Sequence, residues 1–227
     1  MPGGTPSKDV KTRGLVLRRT NYGEADRVLN IITPEGKMAV MAKGVRKSKS
    51  RLAGAVEMFT LSELVVHFGR GEMGTLTSAR MVRHYGEIVK DLARLELASE
   101  ILKRVNLVSE NVDDTREYFR ITEQSLEALN DGVDMEMVEA WVVLNIRRVM
   151  GEELNLYRDT AGDKLKADAK YYWNSMEGAF ELNEQGSYGA DEIKLLRLMQ
   201  VTELKTVRRV KCDKKTMREV VELARIV

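Results

Sequence analysis

The hydrophobic period of this chain changes once, near residue 86, and that change constrains the fold more than any other feature. Before it, apolar residues come in short alternating runs separated by Gly and Pro. Alternation at period two marks strands with one buried face. From Glu87 onward apolar residues recur three and four apart, which marks helices with an apolar stripe. The expected architecture is α+β: a β-domain over 1–86 and an α-helical domain over 87–227.

The strand region reads in order. Thr12 to Tyr22 has no helical period, and Leu15 and Leu17 alternate with Val16 and Arg18. Gly23-Glu24-Ala25-Asp26 is a turn. Arg27 to Thr33 is a second strand, and Pro34-Glu35-Gly36 a tight hairpin turn in which Pro presets φ. Lys37 to Lys43 is a third strand. A Ser- and Gly-containing basic loop, Gly44 to Ala55, follows. Met58 to Phe68 and Met73 to His84 complete the set around Gly69-Arg70-Gly71. Five strands, read as antiparallel, predict a small barrel, because closure removes exposed sheet edges. The common five-stranded barrel of this size is the OB-fold, a binder of single-stranded nucleic acid or oligosaccharide.

The helical region begins with Glu87 to Ser109. Asp114-Thr115-Arg116-Glu117 resembles a capping box, with Val112 as its staple, opening a helix that stops at Asp131-Gly132. Asp134 to Glu153 carries Ala140-Trp141-Val142-Val143-Leu144, apolar nearly all round, as a central buried helix would. Asn155 to Gly189 is irregular, with Tyr157, Tyr171, Tyr172, Trp173 and Phe180. Ala190 to Val207 and Asp213 to Val227 return to helix, the latter capped by Asp213.

Charge is distributed along the same division. The 37 Lys and Arg against 35 Asp and Glu leave a net +2. Residues 1–86 hold 15 basic against 7 acidic, residues 87–202 hold 14 against 24, and residues 203–227 hold 8 against 4. Such asymmetry points to a polyanion partner for the basic part. Its centre is Lys43-Gly44-Val45-Arg46-Lys47-Ser48-Lys49-Ser50-Arg51, read as a mobile loop with five cations in nine residues and no acid. Phosphates need nearby charge rather than a fixed base geometry. A second cluster joins Arg208 and Arg209 to Lys205, Lys211, Lys214, Lys215 and Arg218. DNA contact and complementation of helix dipoles both fit it. Arg116 and Arg120 flank Tyr118 and Phe119, a place for an acidic-aromatic peptide tail or an ordinary helix face.

Enzyme chemistry finds no footing. One Cys and two His leave no disulfide framework and no Cys-rich zinc module. Gly69 to Gly74 matches G-x-G-x-x-G, but Thr75 and Thr77 continue as strand rather than helix, so a hairpin turn is expected. No P-loop is present. His67 and His84 read as strand histidines. Cys212 is a free thiol whose pKa neighbouring lysines would lower. No cofactor or metal is expected. No apolar run approaches the roughly 18 residues of a membrane span, and Met1 to Val10 lacks a signal-peptide core. A cytoplasmic protein without membrane contact is the expectation.

Three blocks then carry a resemblance. Arg19-Thr20-Asn21-Tyr22-Gly23-Glu24-Ala25-Asp26-Arg27, Ile32-Thr33-Pro34-Glu35-Gly36-Lys37 and Ala42 to Arg51 resemble the N-terminal region of the RecO family, bacterial recombination mediators of the RecF pathway. The resemblance covers about residues 10–85. It implies an OB-fold followed by a helical domain, and binding of single- and double-stranded DNA. It also implies strand annealing, and partnership with RecR and with the acidic tail of single-stranded-DNA-binding protein to help load RecA. On that pattern Arg27, Lys43, Arg46, Lys47, Lys49 and Arg51 hold phosphates. Many RecO-like proteins carry a four-Cys zinc module, and the matching stretch here, within 155–189, has no Cys. Tyr157 to Gly162 resembles its first knuckle without either thiolate, and Tyr171, Tyr172, Trp173 and Phe180 are expected to replace the metal by packing. The residues themselves leave two other readings open: an RNA-binding factor in translation or ribosome assembly, and a protein–protein adaptor.

Overall fold

The computed structural model describes residues 8–110, 112 and 114–227. Its residues form two compact units, Met1–Asn130 and Asp131–Val227.

The first unit is built on a closed barrel of β1 (Lys8–Tyr22), β2 (Asp26–Thr33), β3 (Gly36–Ala42), β4 (Thr60–Phe68) and β5 (Gly74–His84). Around the ring the order is β1-β2-β3-β5-β4, the OB-fold. Strand β1 is long enough to serve two partners. Its first half pairs with β4, its second half with β2, and Leu15 faces both Leu61 and Ile32. Gly14 lies just before that point, and a Cβ there would fall 2.6 Å from the Ile31 side chain and 2.8 Å from that of Leu64. No larger residue fits that approach. Leu29, Ile31, Val40, Val56 and Val66 fill the interior.

The strands are not all antiparallel: β3 and β5 run parallel, Val40 beside Gly74 and Met41 beside Thr75. A closed ring of five cannot alternate direction throughout, so two neighbours must share one. Gly69 to Met73 is the expected hairpin turn, since β4 and β5 pair antiparallel on either side of it.

Helices α1 (Leu92–Val108) and α2 (Arg116–Asn130) belong to this unit. The helical run starts five residues later than its period suggested, because Ile88–Lys90 is a single 3-10 turn and Asp91 caps α1. The buried Thr115 hydroxyl donates to the Thr33 carbonyl at 2.7 Å. Arg13 pairs with Glu123 at 2.7 Å, and Arg83 with Glu127. These contacts tie α2 to the barrel wall. The expected capping box gives way to a shorter device, in which the Asp114 carboxylate accepts from the Arg116 N–H.

The second unit centres on α3 (Met135–Val149). Trp141 is fully buried, and its indole N–H donates to the Thr202 carbonyl at 2.8 Å. Helix α4 (Ala190–Val201) ends at Thr202. The short α5 (Leu204–Val207) follows, so the expected single helix is broken, and α6 (Lys214–Ile226) closes the chain. The stretch read as irregular contains a hairpin, β6 (Tyr171–Asn174) with β7 (Ala179–Leu182). Phe180 sits among Tyr171, Trp173 and Tyr188 at ring separations of 6.2, 5.2 and 5.4 Å. Tyr172 lies outside this cluster, and Tyr188 takes the place expected for it.

Candidate nucleic-acid interface

The basic loop leaves β3 at the same end of the barrel as the β1–β2 turn. Three hydrogen bonds fasten it there. The Asp26 carboxylate accepts from the Gly44 N–H at 2.6 Å. The Arg46 N–H donates to the Ala25 carbonyl at 2.9 Å, and the Arg46 guanidinium to the Gly23 carbonyl at 3.1 Å. Gly44 holds φ at 64°, a left-handed conformation that glycine adopts without a Cβ penalty. Val45 is buried in the barrel core. The loop is therefore pinned at its start, not mobile as expected. Successive turns continue it, from the Lys47 N–H to the Gly44 carbonyl and from the Ser50 N–H to the Lys47 carbonyl.

Lys43, Lys47, Lys49 and Arg51 stand exposed on this loop. Among the described residues none of the four has an ion pair. Arg46 is exposed too, with one guanidinium nitrogen on the Gly23 carbonyl. Five cations thus share one rim with no carboxylate between them in sequence, a surface of unneutralised charge suited to phosphates.

Arg27 stands apart from the other five. Its guanidinium binds the Glu57 carboxylate at 3.0 Å and Asn21 at 3.3 Å. Arg19 reaches the same carboxylate. Asn21 and Arg27 are cross-strand partners, so their side chains share one face, and Glu57 arrives from the segment before β4. Arg27 is thereby neutralised within the barrel end, with a side chain only 20% exposed. Nothing in the local sequence signals Glu57 as its partner, thirty residues away.

The β2–β3 face is the usual ligand platform of an OB-fold, and here its lower half is covered. Lys37 Nζ donates to the Asn106 carbonyl at 2.5 Å and pairs with Glu110 at 3.5 Å. Asn30 bonds Asn106 at 3.3 Å. The C-terminal end of α1 therefore lies on that half, leaving the half beside the basic loop open.

In the second unit Arg208 pairs with Asp131 at 3.2 Å, while Arg209 is exposed. Both follow the C-terminus of α5, where dipole complementation applies. Lys214 and Lys215 instead open α6, where positive charge opposes the helix macrodipole. Complementation does not account for them. Arg116 is exposed, with Asp114 at 4.0 Å, and Arg120 is held by Glu117 at 2.8 Å. Tyr118 and Phe119 are buried, so the aromatic side chains between these arginines belong to the core and not to a docking surface.

His67 bonds Asp9 at 2.7 Å and His84 bonds Thr60 at 2.9 Å, at opposite ends of the β4–β5 hairpin. Burial, then the Asp213 and Asp134 carboxylates, push the Cys212 thiol up. The neighbouring lysines do not lower it as expected. Among the described residues no group of three His, Cys, Asp or Glu side chains is placed to hold a metal, and no helix is long and apolar enough to cross a membrane. Zinc does not fit the stretch that resembles a zinc module. At the first knuckle the Asp159 carboxylate already accepts the N–H groups of Ala161 and Asp163, at 3.1 and 2.9 Å. The one carboxylate in residues 157–162 is thus already taken up by backbone N–H groups, and the stretch has no thiolate to offer a zinc ion.

Two family models match the chain, one described as Recombination protein O N terminal over residues 8–85 and one as Recombination protein O C terminal over residues 89–225. The DNA repair protein RecO of Bacillus cytotoxicus is 30% identical over 218 residues, 92% of this chain and 87% of that protein. That of Dehalococcoides mccartyi is 26% identical over 228 residues, 97% of this chain and 89% of that protein. That of Exiguobacterium is 34% identical over 142 residues, and the match spans 62% of this chain and 57% of that protein.

Proposed function

The chain belongs to the RecO family, and on that premise we propose that it is a non-enzymatic mediator of DNA repair and recombination. In this reading it binds single- and double-stranded DNA, anneals complementary strands and helps load a recombinase onto protein-coated single strands. One observation supports it above the others: Lys43, Arg46, Lys47, Lys49 and Arg51 are exposed on a loop that hydrogen bonds pin to the rim of an OB barrel. Pinning matters because ordering a loop on binding costs roughly 1–2 kcal/mol of backbone entropy per residue, a cost already met here. The cations hold phosphates and perform no bond chemistry.

Arg27 contributes by holding the barrel end, and Arg208 and Arg209 are weaker DNA contacts on the second unit. The partners in this reading are a RecR-like protein and the acidic tail of single-stranded-DNA-binding protein, with Arg116 and Arg120 as candidate contacts for that tail. In this reading the DNA-holding barrel ends near residue 86, and α1 and α2 pack with it in the first compact unit. A strand-annealing assay tests the proposal. Complementary strands coated with single-stranded-DNA-binding protein should anneal faster with the full chain present, and an unchanged rate at saturating protein would overturn it.

A further inference from the structure

We propose that Tyr22 is a base-stacking residue, which gives the rim a preference for unpaired bases over phosphate alone; this rests on the DNA-binding reading above. Tyr22 is 59% exposed at the last position of β1. Exposed single aromatics are common, so its position carries the argument.

Tyr22 is the cross-strand partner of Asp26, and such partners present their side chains on one face. Asp26 is also the residue whose carboxylate fastens Gly44, the start of the basic loop. The ring therefore stands on the face to which the loop is tied. Arg18 and Thr20 lie at alternate positions on the same strand and are exposed. Val28 and Met41, paired across β2 and β3, lie in register with Thr20 on that face and are half-buried. This is the open half of the β2–β3 platform, beyond the part that α1 covers. An exposed ring, half-buried apolar neighbours and cations on two sides reproduce what non-sequence-specific single-strand binding requires: a π-face for the base and charge along the backbone. Among the described residues of the barrel unit the other Phe and Tyr side chains are buried or half-buried. The exposed imidazole of His84 lies on β5, away from the β2–β3 platform, and bonds Thr60.

Duplex DNA keeps its bases stacked inside and gains nothing from this ring, so the two forms should separate on it. The test compares oligo(dT), an abasic strand of equal length and charge, and a duplex, using the full chain. Wild type should prefer oligo(dT) over the abasic strand. Tyr22→Ala should lose roughly five- to hundredfold in affinity for oligo(dT). Its affinity for the abasic strand and the duplex, and its salt dependence, should stay within twofold of wild type. Tyr22→Phe should behave as wild type. If Tyr22→Ala binds oligo(dT) as wild type does, stacking is overturned while the rim reading stands. Equal weakening on oligo(dT) and the abasic strand also overturns it, since the ring then acts without a base. If wild type binds none of the three probes, the DNA-holding rim itself fails and the stacking role with it.

Discussion

The Asp26 carboxylate accepts the Gly44 N–H at 2.6 Å, joining the β1–β2 turn to the first residues of the basic loop. A charge-assisted bond of this kind is worth roughly 1.5–3 kcal/mol. It makes the loop part of the barrel rather than an appendage.

Asp26→Ala should therefore release the loop. Trypsin cleavage within Lys43 to Arg51 should accelerate several-fold, followed by mass spectrometry of the fragments. Asp26→Asn keeps an oxygen acceptor and should lie between the two. Equal cleavage of wild type and Asp26→Ala would show that the other two bonds suffice.

Replacing Lys47 and Lys49 by Glu removes two of the exposed loop cations. Each phosphate contact on a single strand contributes about −0.7 to the slope of log K against log salt. Five contacts predict a wild-type slope near −3 to −4. The double variant should be shallower by about 1.4, with affinity reduced on every sequence alike. Fluorescence anisotropy across a salt series reads both.

Glu57 binds Arg19 and Arg27 together. Glu57→Gln removes the negative charge and leaves an oxygen in place. Stability should fall by about 1–2 kcal/mol, because the part-buried Arg27 loses its counter-charge. Affinity for DNA should rise, since two guanidinium groups at the barrel end are no longer neutralised. Thermal melts and binding measured on one preparation separate the two effects.

Glu192 is buried at the start of α4. Its carboxylate accepts from the Thr216 hydroxyl at 2.7 Å and from the Gly189 N–H at 2.8 Å. Burial alone would raise its pKa, but these hydrogen bonds and the nearby Lys170 outweigh it and hold the carboxyl below its ordinary range. A depressed folded pKa adds stability that is present above the unfolded value and is lost as pH falls through the folded one. Melting temperature should therefore drop in acid, below about pH 4. Glu192→Gln should flatten that drop. Glu192→Ala should cost about 2 kcal/mol at neutral pH by stranding both donors.

Chelators should leave the melting temperature unchanged, because aromatic packing and Asx turns hold the β6–β7 segment. Phe180→Ala should cost about 3–5 kcal/mol, since that ring is fully buried among three others. A fall in melting temperature with chelator would contradict the zinc-free reading.

Much of the barrel was legible in the chain. Period-two runs and Pro34-Glu35-Gly36 place β1 to β5 within a few residues, because alternation and turn chemistry act between near neighbours. The helix breaks were less legible. Nothing in the apolar stripe over 190–207 marks the interruption at Thr202, whose carbonyl is taken by Trp141 sixty-one residues away. The hairpin at 171–182 was hidden because four-residue strands are too short for a period to show.

The sequence by itself determined where strand gives way to helix, where the turns fall, and that the first 86 residues concentrate positive charge. Those properties depend on residue types and their spacing. Tertiary structure alone decided which cations remain unneutralised: Arg27 faces Glu57, while Lys43, Lys47, Lys49 and Arg51 face solvent. It also decided that one strand pair runs parallel, that α1 covers half of the β2–β3 platform, and that Tyr22 shares a face with the anchor of the basic loop. Charge neutralisation, burial and ring closure depend on groups distant in the chain, and only folding brings those groups within reach of one another.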